Sequence, residues 1–287
     1  YISGSTSAQS NADNQNGAGK YQQATFTGCT ISGALNGVEV KYTDLTLDGC
    51  AVSTTAEDAS YKQDNNGPAG SGFAVVSTDN AMNNVTPKPE GTIIIKGTGK
   101  YTGPVGLGSL KSVKETYADF ADETIKISGG TFTTEIPAAY CADGFIPTQN
   151  EDGTYGVKVG QYVAEVGSTK YETLADAVAA AQDGQTVTLL CDVEQNTQLT
   201  INKSITLDLN GKTIKNTQDI WGDNANAILS ITNGAKVTIT GNGTITAKEN
   251  DCYTINVVDG DLTIENGTFY GNVSVVQVQE GALSVKG

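Results

Sequence analysis

The chain has 287 residues, and its 38% hydrophobic and 17% charged residues indicate a folded protein rather than a disordered one. Its formal net charge is −15 with a pI near 4.3, which argues against nucleic acid as a partner because phosphate binding needs a concentrated basic face. No apolar run is long enough to span a bilayer. The 34 glycines, with frequent Thr, Val, Ile and Asn, predict short strands joined by tight turns.

A short phrase recurs along the chain, in which one strand, a Gly or Asn corner and a second strand follow each other. Apolar residues alternate within it, as Val237 and Ile239 do, so that one side of each strand faces a core. The corner glycines Gly241, Gly243 and Gly267 would supply left-handed backbone without steric cost. The phrases are ATFTGCTI (24–31), LTLDGCAV (45–52), TIIIKGTGKY (92–101), TIKISGGTF (124–132), SITLDLNGKTI (204–214), VTITGNGTI (237–245) and LTIENGTF (262–269), followed by an incomplete LSVKG (283–287).

The spacing of these phrases is typical of a solenoid. Ile31 and Val52 are 21 residues apart, and Ile245 and Phe269 are 24 residues apart, about the length of one turn of a three-sided β-solenoid. A sandwich of hairpins would need antiparallel neighbours joined by two-residue turns, whereas these phrases repeat in the same direction. We therefore predict right-handed parallel β-helices, in which each turn packs on the next about 4.8 Å away.

One segment predicts a helix within this all-β pattern. Leu174, Ala177, Val178 and Ala181 share one helical face, and Gly184 ends the helix. Because this face is too apolar to lie in water, we expect the helix to cover the open end of the β-strands that follow it. The predicted fold is thus all-β, with two tandem β-helix units and a short helix capping the second.

The two units are predicted at residues 1–160 and 161–287. The first would be the C-terminal part of a β-helix with a hairpin-like closing segment that turns at Asp152 and Gly153. The second would begin with the cap helix and be truncated at its C-terminal end. Because the chain starts at Tyr1 rather than Met and stops within a phrase, we expect a segment of a longer protein.

The chain resembles a family in the stretches KYETLADAVAAAQDGQTVTLLCDV, ITLDLNGKTI, ISGGTF and YCADGFIPTQNEDGTYGV. They are similar to the pectin-lyase-like β-helix repeats of large surface proteins from gut Gram-positive bacteria. The resemblance covers most of residues 90–287 and is weaker before residue 90. It implies an extracellular protein, wall-attached or secreted, with tandem β-helices and an adhesin-like function. Related folds include polysaccharide lyases and glycosidases, so catalysis has to be weighed on the residues themselves.

Catalysis is the alternative function. Glycoside hydrolases use a facing pair of carboxylates and lyases use a base beside a neutralised uronate, and the 32 acidic residues offer many candidates. The chain has no His, however, and all 17 of its basic residues are Lys. It therefore lacks an imidazole acid or base and a guanidinium clamp for a sugar carboxylate. We predict no enzymatic activity and no catalytic residues, with a polysaccharide lyase or glycoside hydrolase of the β-helix fold as the alternative.

Long insertions between the phrases are the predicted ligand-binding regions, because a rigid stalk needs none. They lie at residues 53–72, 77–91, 102–123 and 215–227. If they leave their turns at similar points, stacking lines several of them along one side. We expect a non-catalytic segment that binds host or dietary glycans, mucin or secreted host glycoproteins through these loops, or that spaces a binding module from the cell.

The only tryptophan lies in the last of these insertions. An exposed Trp221 beside Asp219, Asp223 and Asn224 would form a sugar-stacking platform or a protein hot spot. Alternatively the indole folds down onto the wall of the solenoid, which is the interpretation we favour for so large an apolar group.

Two tyrosines in the earlier insertions, Tyr61 and Tyr117, are weaker candidates for the same ligand-binding role. Each lies in a long insertion and carries an aromatic ring with a polar tip. They complete the predicted set of binding residues.

The cysteines and the acidic turns have structural interpretations. Cys29 and Cys50 follow corner glycines in consecutive phrases, so we expect a stacked structural pair, either reduced or disulfide-bonded. No spacing typical of a metal centre accompanies the five cysteines. The turns at Asp64–Gly67, Asp152 and Asp223–Asn226 carry oxygen ligands suited to Ca²⁺, but they lack calcium-loop spacing. We therefore expect solvated turns, no metal and no cofactor.

Overall fold

The computed structural model divides into two compact units, residues 1–160 and 161–287. Strands dominate both units, and most of them pair in parallel, which confirms the all-β prediction. The described residues are 2–3, 22–41, 43–64, 67–78, 92–108, 124–222, 225–248 and 253–286.

The described residues of the first unit form a series of short strands and one 3-10 helix, Ala138–Tyr140. The strands within its described residues are β1 (Ile2–Ser3), β2 (Gln22–Thr27), β3 (Thr30–Gly33), β4 (Asn36–Lys41), β5 (Thr43–Asp48), β6 (Ala51–Thr54), β7 (Ser60–Asp64), β8 (Gly67–Ser71), β9 (Phe73–Thr78), β10 (Ile93–Lys96), β11 (Lys100–Thr102), β12 (Val105–Gly108), β13 (Ile125–Ile127), β14 (Thr131–Phe132), β15 (Phe145–Gln149) and β16 (Tyr155–Val159).

In the part of the second unit that the structure describes there is one α-helix, α1 (Leu174–Ala180). The strands within its described residues are β17 (Ala164–Val166), β18 (Thr169–Tyr171), β19 (Thr186–Leu189), β20 (Val193–Glu194), β21 (Leu199–Ile201), β22 (Thr206–Asp208), β23 (Thr213–Lys215), β24 (Ala227–Ile231), β25 (Ala235–Thr240), β26 (Thr244–Thr246), β27 (Tyr253–Val257), β28 (Gly260–Ile264), β29 (Thr268–Tyr270), β30 (Val276–Val278) and β31 (Gly281–Val285).

In each unit the chain contributes successive strands to three sheets in rotation. In the first unit, β2, β5, β10 and β13 form the first sheet, β3, β6, β11 and β14 the second, and β1, β4, β9 and β12 the third. In the second unit the first sheet runs β19-β22-β25-β28-β31, the second β20-β23-β26-β29 and the third β21-β24-β27-β30. All these neighbours pair in parallel, as the recurring phrases predict.

The pairing register puts equivalent apolar residues beside each other. Ile31 pairs with Val52 and Ile245 pairs with Phe269, which confirms the predicted spacings. The alternation in β25 buries Val237, Ile239 and the other inward residues, while the residues between them remain partly exposed. Each unit thereby has its own apolar core, built from the inward side chains of successive strands.

The antiparallel strands are confined to particular places. In the first unit β15 and β16 form a hairpin beside β14, with its turn around Asp152 and Gly153 as predicted. The strands β7 and β8 form a second hairpin. In the second unit β17 pairs with both β18 and β19 at the start of the first sheet.

The predicted helix is confirmed over Leu174–Ala180. Thr173 caps its N-terminus by accepting a hydrogen bond from Asp176 N at 3.0 Å. Leu174, Ala177, Val178 and Ala181 are all buried and belong to the same core as β17 and β19. At the other end, the Lys203 ammonium donates to the carbonyls of Ala179 and Ala181 at 2.6 and 2.7 Å, which satisfies acceptors that a helix end leaves unpaired.

Sequence analysis missed the third strand of each repeat. Strands such as β9 and β24 are buried on both faces and are separated from the second strand of the repeat by an insertion, so they do not form part of the recurring two-strand phrase. The expectation that the insertions depart from equivalent positions of successive repeats is wrong, because they follow strands of different sheets. Those at 53–72 and 215–227 lie between a second-sheet and a third-sheet strand. By contrast, residues 79–91 and 109–123, which lie outside the described residues, each follow a third-sheet strand.

The corner glycines serve two different purposes. Gly241 and Gly267 have φ of 94° and 117°, as predicted for left-handed corners. Gly243 does not, which corrects that prediction, because the left-handed residue beside it is Asn242 with φ 53°. Gly243 is buried, and a Cβ there would overlap the carbonyl of Lys212 on the neighbouring strand pair. Close approach, rather than dihedral freedom, requires glycine at this position.

Replacing Gly241 should separate these two requirements. A Cβ at Gly241 would overlap Asp208 Oδ1 and Asn210 N, whereas one at Gly211, with φ 71°, would meet no heavy atom within 4 Å. We expect Gly211→Ala to cost about 1–2 kcal/mol through its left-handed backbone, and Gly241→Ala to cost roughly 1–3 kcal/mol more through overpacking. Urea unfolding followed by the fluorescence of the sole tryptophan measures both, and equal losses would contradict the close packing of the corners.

A buried tyrosine in the first unit has an unsatisfied hydroxyl. Tyr101 is 0% exposed and stacks on Phe132 with ring centroids 4.7 Å apart. Its hydroxyl has no hydrogen-bond partner among the described residues. Burial raises the pKa of this phenol, and the nearby Cys50 and Asp48 raise it further.

Tyr101→Phe should therefore leave the first unit as stable or make it up to about 1 kcal/mol more stable at neutral pH, because it keeps the stacked ring and removes an unpaired polar group. The raised pKa adds a pH dependence. The folded state favours the neutral phenol, so its contribution is complete below about pH 10 and is lost at higher pH. Thermal unfolding followed by circular dichroism should show a smaller alkaline loss in the variant, and an identical loss would contradict this assignment.

Candidate functional site

The segment that carries Trp221 joins β23 to β24 and is fixed at its base by polar contacts. The buried Asn216 accepts a hydrogen bond from Lys248 N at 2.7 Å and donates to Gln218 O at 2.9 Å. Asn196 Oδ1 accepts from Thr217 N at 2.7 Å. These bonds tie the start of the segment to the preceding and following repeats, so its path is defined by the stacked strands beneath it.

Adjacent residues at the tip of this segment have opposite environments. Ile220 is 8% exposed and is part of the apolar core. Trp221, the next residue, is 61% exposed. The expectation that the indole folds down onto the wall is therefore wrong, because Ile220 occupies the apolar position instead. The segment then closes through Gly222 and Ala225, which exchange two backbone hydrogen bonds at 2.8 and 3.3 Å.

An open cleft of about 320 Å³ lies beside the indole. The third-sheet strands form much of its wall, with Ser230 on β24 and Asn256 on β27 paired in register. Its polar lining comprises Gln198, Asn226, Ser230, Asn256 and Gln279. Ser230 and Asn256 are only 3% and 2% exposed, so the polar groups extend into the wall rather than standing on its surface.

The amides of the cleft hold one another in a chain of hydrogen bonds. Asn256 Nδ2 donates to Asn226 Oδ1 at 2.9 Å, and Gln279 Nε2 donates to Asn256 Oδ1 at 3.3 Å. Gln198 Oε1 accepts from the backbone N–H groups of Asn226 and Ala227 at 3.0 and 3.3 Å. The network fixes the orientation of each amide before any ligand arrives, which lowers the entropic cost of binding.

The described lining of the cleft is electrically neutral, since it consists of an indole, amides, a hydroxyl, backbone and small apolar groups. Charge on the neighbouring segment is paired, with the Lys248 ammonium 2.7 Å from the Asp219 carboxylate. Such a surface can stack against an apolar face and exchange hydrogen bonds with hydroxyl or amide groups.

The structure brings one of the predicted binding residues to the cleft. Trp221 lines it, while Asp219 lies nearby in the ion pair with Lys248 and is not part of the lining. Tyr61 lies on β7 of the first unit, where it pairs with Gly70. Asp223, Asn224 and Tyr117 lie outside the described residues.

Of the five polar lining residues, Asn226 lies in the insertion 215–227 that was predicted to bind ligand, and the other four were missed, although the sequence carries a signal for some of them. The third-sheet strands read LTI, LSI, INV and VQV, and their central polar residues pair in register. Ser230 and Asn256 occupy this position. Because sequence analysis recognised only two strands per repeat, it treated these residues as connections.

Cys29 and Cys50 lie in neighbouring repeats, where Ala51 N donates to Cys29 O at 2.8 Å and the strands that follow the two cysteines pair in register. Both thiols are free. Cys50 Sγ is 3.3 Å from Phe26 O and Cys29 Sγ is 3.5 Å from Thr27 O, so each thiol contacts a backbone carbonyl. Of the two open alternatives, the structure shows the reduced pair.

The predicted calcium turns are described only in part. Asp152 Oδ1 accepts hydrogen bonds from the hydroxyl of Thr154 at 2.5 Å and from its backbone N–H at 3.0 Å, and these bonds lower the pKa of the Asp152 carboxyl. Residues 65–66 and 223–224 lie outside the described residues. Among the described residues, no three or more acidic, Cys or His side chains cluster in a way that could hold a metal ion.

Protein-family models, curated proteins and solved structures give no match to this chain. The resemblance to pectin-lyase-like surface repeats therefore stays a prediction. In the described part of the chain, no helix has the length and apolar character needed to cross a membrane.

The free thiols can be tested by alkylation. Cys50 is fully buried, and burial raises the pKa of the Cys141 thiol to about 11. At about pH 8.5, the pKa of an ordinary thiol, both should react slowly with iodoacetamide in the folded protein. After denaturation without reductant, peptide mass mapping should find all four of these cysteines alkylated, namely Cys29, Cys50, Cys141 and Cys191. Protection of Cys29 and Cys50 together after denaturation would reveal a disulfide instead.

Proposed function

We propose that the chain is a segment of a secreted or surface-displayed bacterial protein, built from two tandem right-handed parallel β-helices, that binds glycans or glycoproteins without catalysis. The fold part of the proposal is supported by the rotation of successive strands among three parallel sheets in each unit. Right-handed winding follows from the general preference of parallel crossover connections. The helix α1, whose apolar face belongs to the core of the second unit, would be its cap.

The exposed indole beside a cleft of ordered amides is the observation that carries the binding function. Trp221 offers a flat apolar face that is 61% exposed, and sugars present such faces through their C–H groups. Gln198, Asn226 and Gln279 supply hydrogen-bonding groups next to it, which suit the hydroxyls around a sugar ring. A large aromatic anchor with polar neighbours is also the composition of a protein-binding hot spot, which is compatible with a glycoprotein ligand.

The cell-surface setting and the kind of ligand rest on the resemblance to adhesin-like repeats. On that basis the ligands would be host or dietary glycans, mucin or secreted host glycoproteins. A pure spacer would bind none of them, so binding to a glycan array separates the two roles.

Binding is preferred to catalysis because the described lining groups are an indole, amides and a hydroxyl. None of these titrates near neutral pH, as a general acid or base must. Incubation of the full chain with plant and mucin polysaccharides should release no reducing ends and no unsaturated products. Release of either would establish the polysaccharide-degrading alternative.

Trp221→Ala should abolish most of the binding. Loss of a central aromatic anchor costs about 2 kcal/mol or more, roughly a 30-fold rise in Kd, while Trp221→Phe should retain part of the affinity through its smaller ring. The matched control is Tyr270→Ala, which removes another exposed aromatic side chain (59% exposed) of the same unit that does not line the cleft.

The measurement uses the full chain on a glycan array, followed by calorimetric titration of the best ligand. Because Trp221 is the only tryptophan, its fluorescence should change on binding in the unaltered chain and in Tyr270→Ala. Full affinity in Trp221→Ala, or binding without a fluorescence change, would remove the cleft from the proposal.

A further inference from the structure

We infer that the Trp221 cleft selects an uncharged pyranose and discriminates against sugars that carry a carboxylate, such as sialic acids and uronates. The inference rests on the proposed function and specifies the ligand class of that same site. It follows from the volume of the cleft, from the unused ends of its amides and from the charge around it.

The volume of the cleft limits the size of the ligand. At about 320 Å³ it lies at the lower end of the range for ligand sites, roughly 300–1,000 Å³. A terminal monosaccharide or disaccharide fits such a space when one ring lies against the indole. The cleft is open to solvent on one side, so the remainder of a longer glycan can continue outward.

At the two ends of the chain of amide hydrogen bonds, one donor group and one acceptor group take no part in the bonds between the amides. Asn226 uses its Oδ1 to accept from Asn256, which leaves its Nδ2 group as a donor. Gln279 uses its Nε2 to donate to Asn256, which leaves its Oε1 as an acceptor. Hydroxyl groups both donate and accept, so neighbouring sugar hydroxyls can satisfy both ends at once. A carboxylate only accepts hydrogen bonds, so it could pair with the Asn226 donor but would leave the Gln279 acceptor unsatisfied.

The charge around the cleft also opposes an anionic ligand. A carboxylate that leaves water needs a cation or several hydrogen-bond donors in return. The described lining has no formal charge, and Lys248 on the neighbouring segment is engaged by Asp219 at 2.7 Å. Residues 161–287 contain seven Lys and fifteen Asp or Glu, so the long-range field of this unit repels anions.

Matched ligand pairs test the inference on the full chain. The methyl ester of sialyl-N-acetyllactosamine is compared with its free acid, and methyl-esterified oligogalacturonides are compared with the free acids, so that the members of each pair differ only in whether the carboxylates are esterified. We expect the neutral member of a pair that binds to have a Kd at least about tenfold lower, equivalent to roughly 1.4 kcal/mol. The fluorescence of Trp221 should report the binding.

The outcomes separate this inference from the proposed function. Equal or tighter binding of the charged members, with a Trp221 fluorescence change, overturns the selectivity while leaving glycan binding at the cleft intact. If neither these pairs nor any glycan on the array binds, both proposals are wrong. Preference for the neutral member in the unaltered chain, lost in Trp221→Ala, supports both.

A charge placed at the rim gives a second, independent test. Gln279 is exposed at the edge of the cleft, so this position should accept lysine without loss of the fold. We expect Gln279→Lys to bind the carboxylate-bearing ligands about tenfold more tightly through a new ion pair. Gln161→Lys is the matched control, because it makes the same change of net charge at an exposed residue outside the lining. An equal gain in both variants would show that only overall charge matters and would overturn selection by the cleft.

Discussion

Parallel pairing between equivalent strands of successive repeats is the constraint on which both units depend. Ile239 of β25 is buried because Leu207 and Ile264 lie beside it in the same sheet, on strands that are far away along the chain. No repeat encloses a core of its own, so each gains its apolar burial and most of its backbone hydrogen bonds from its neighbours. Stability is therefore shared along the stack, and a defect at one position is felt by the adjacent repeats.

The same pairing restricts where the chain can vary. Neighbouring corners approach so closely that Gly241 and Gly243 leave no space for a side chain against the repeat before them. A longer connection can be accommodated where the chain passes from one sheet to the next without such a corner. The segment 216–226 is one of these places, and it can present an exposed indole because Ile220 anchors it in the core.

The sequence predicted those features that leave a periodic or local signal. Alternation and glycine corners identified two strands of each repeat, and Leu174, Ala177 and Val178 identified the helix. The third strand escaped because it lies outside the recurring two-strand phrase, as Ala227–Ile231 does beyond the insertion at 215–227. The exposure of Trp221 also escaped, since hydrophobicity alone favours burial. It depends on a neighbour, Ile220, that fills the available apolar position.

The cleft could not be predicted from any one stretch because its amides come from successive repeats. Gln198 bonds to Asn226 across 28 residues, Asn226 to Asn256 across 30, and Asn256 to Gln279 across 23. These separations are close to the length of one repeat, so the stacking that builds the core also places the amides in a row. A change in register would displace them all together. The repeated phrases therefore form the scaffold, and they also determine which polar side chains meet beside Trp221.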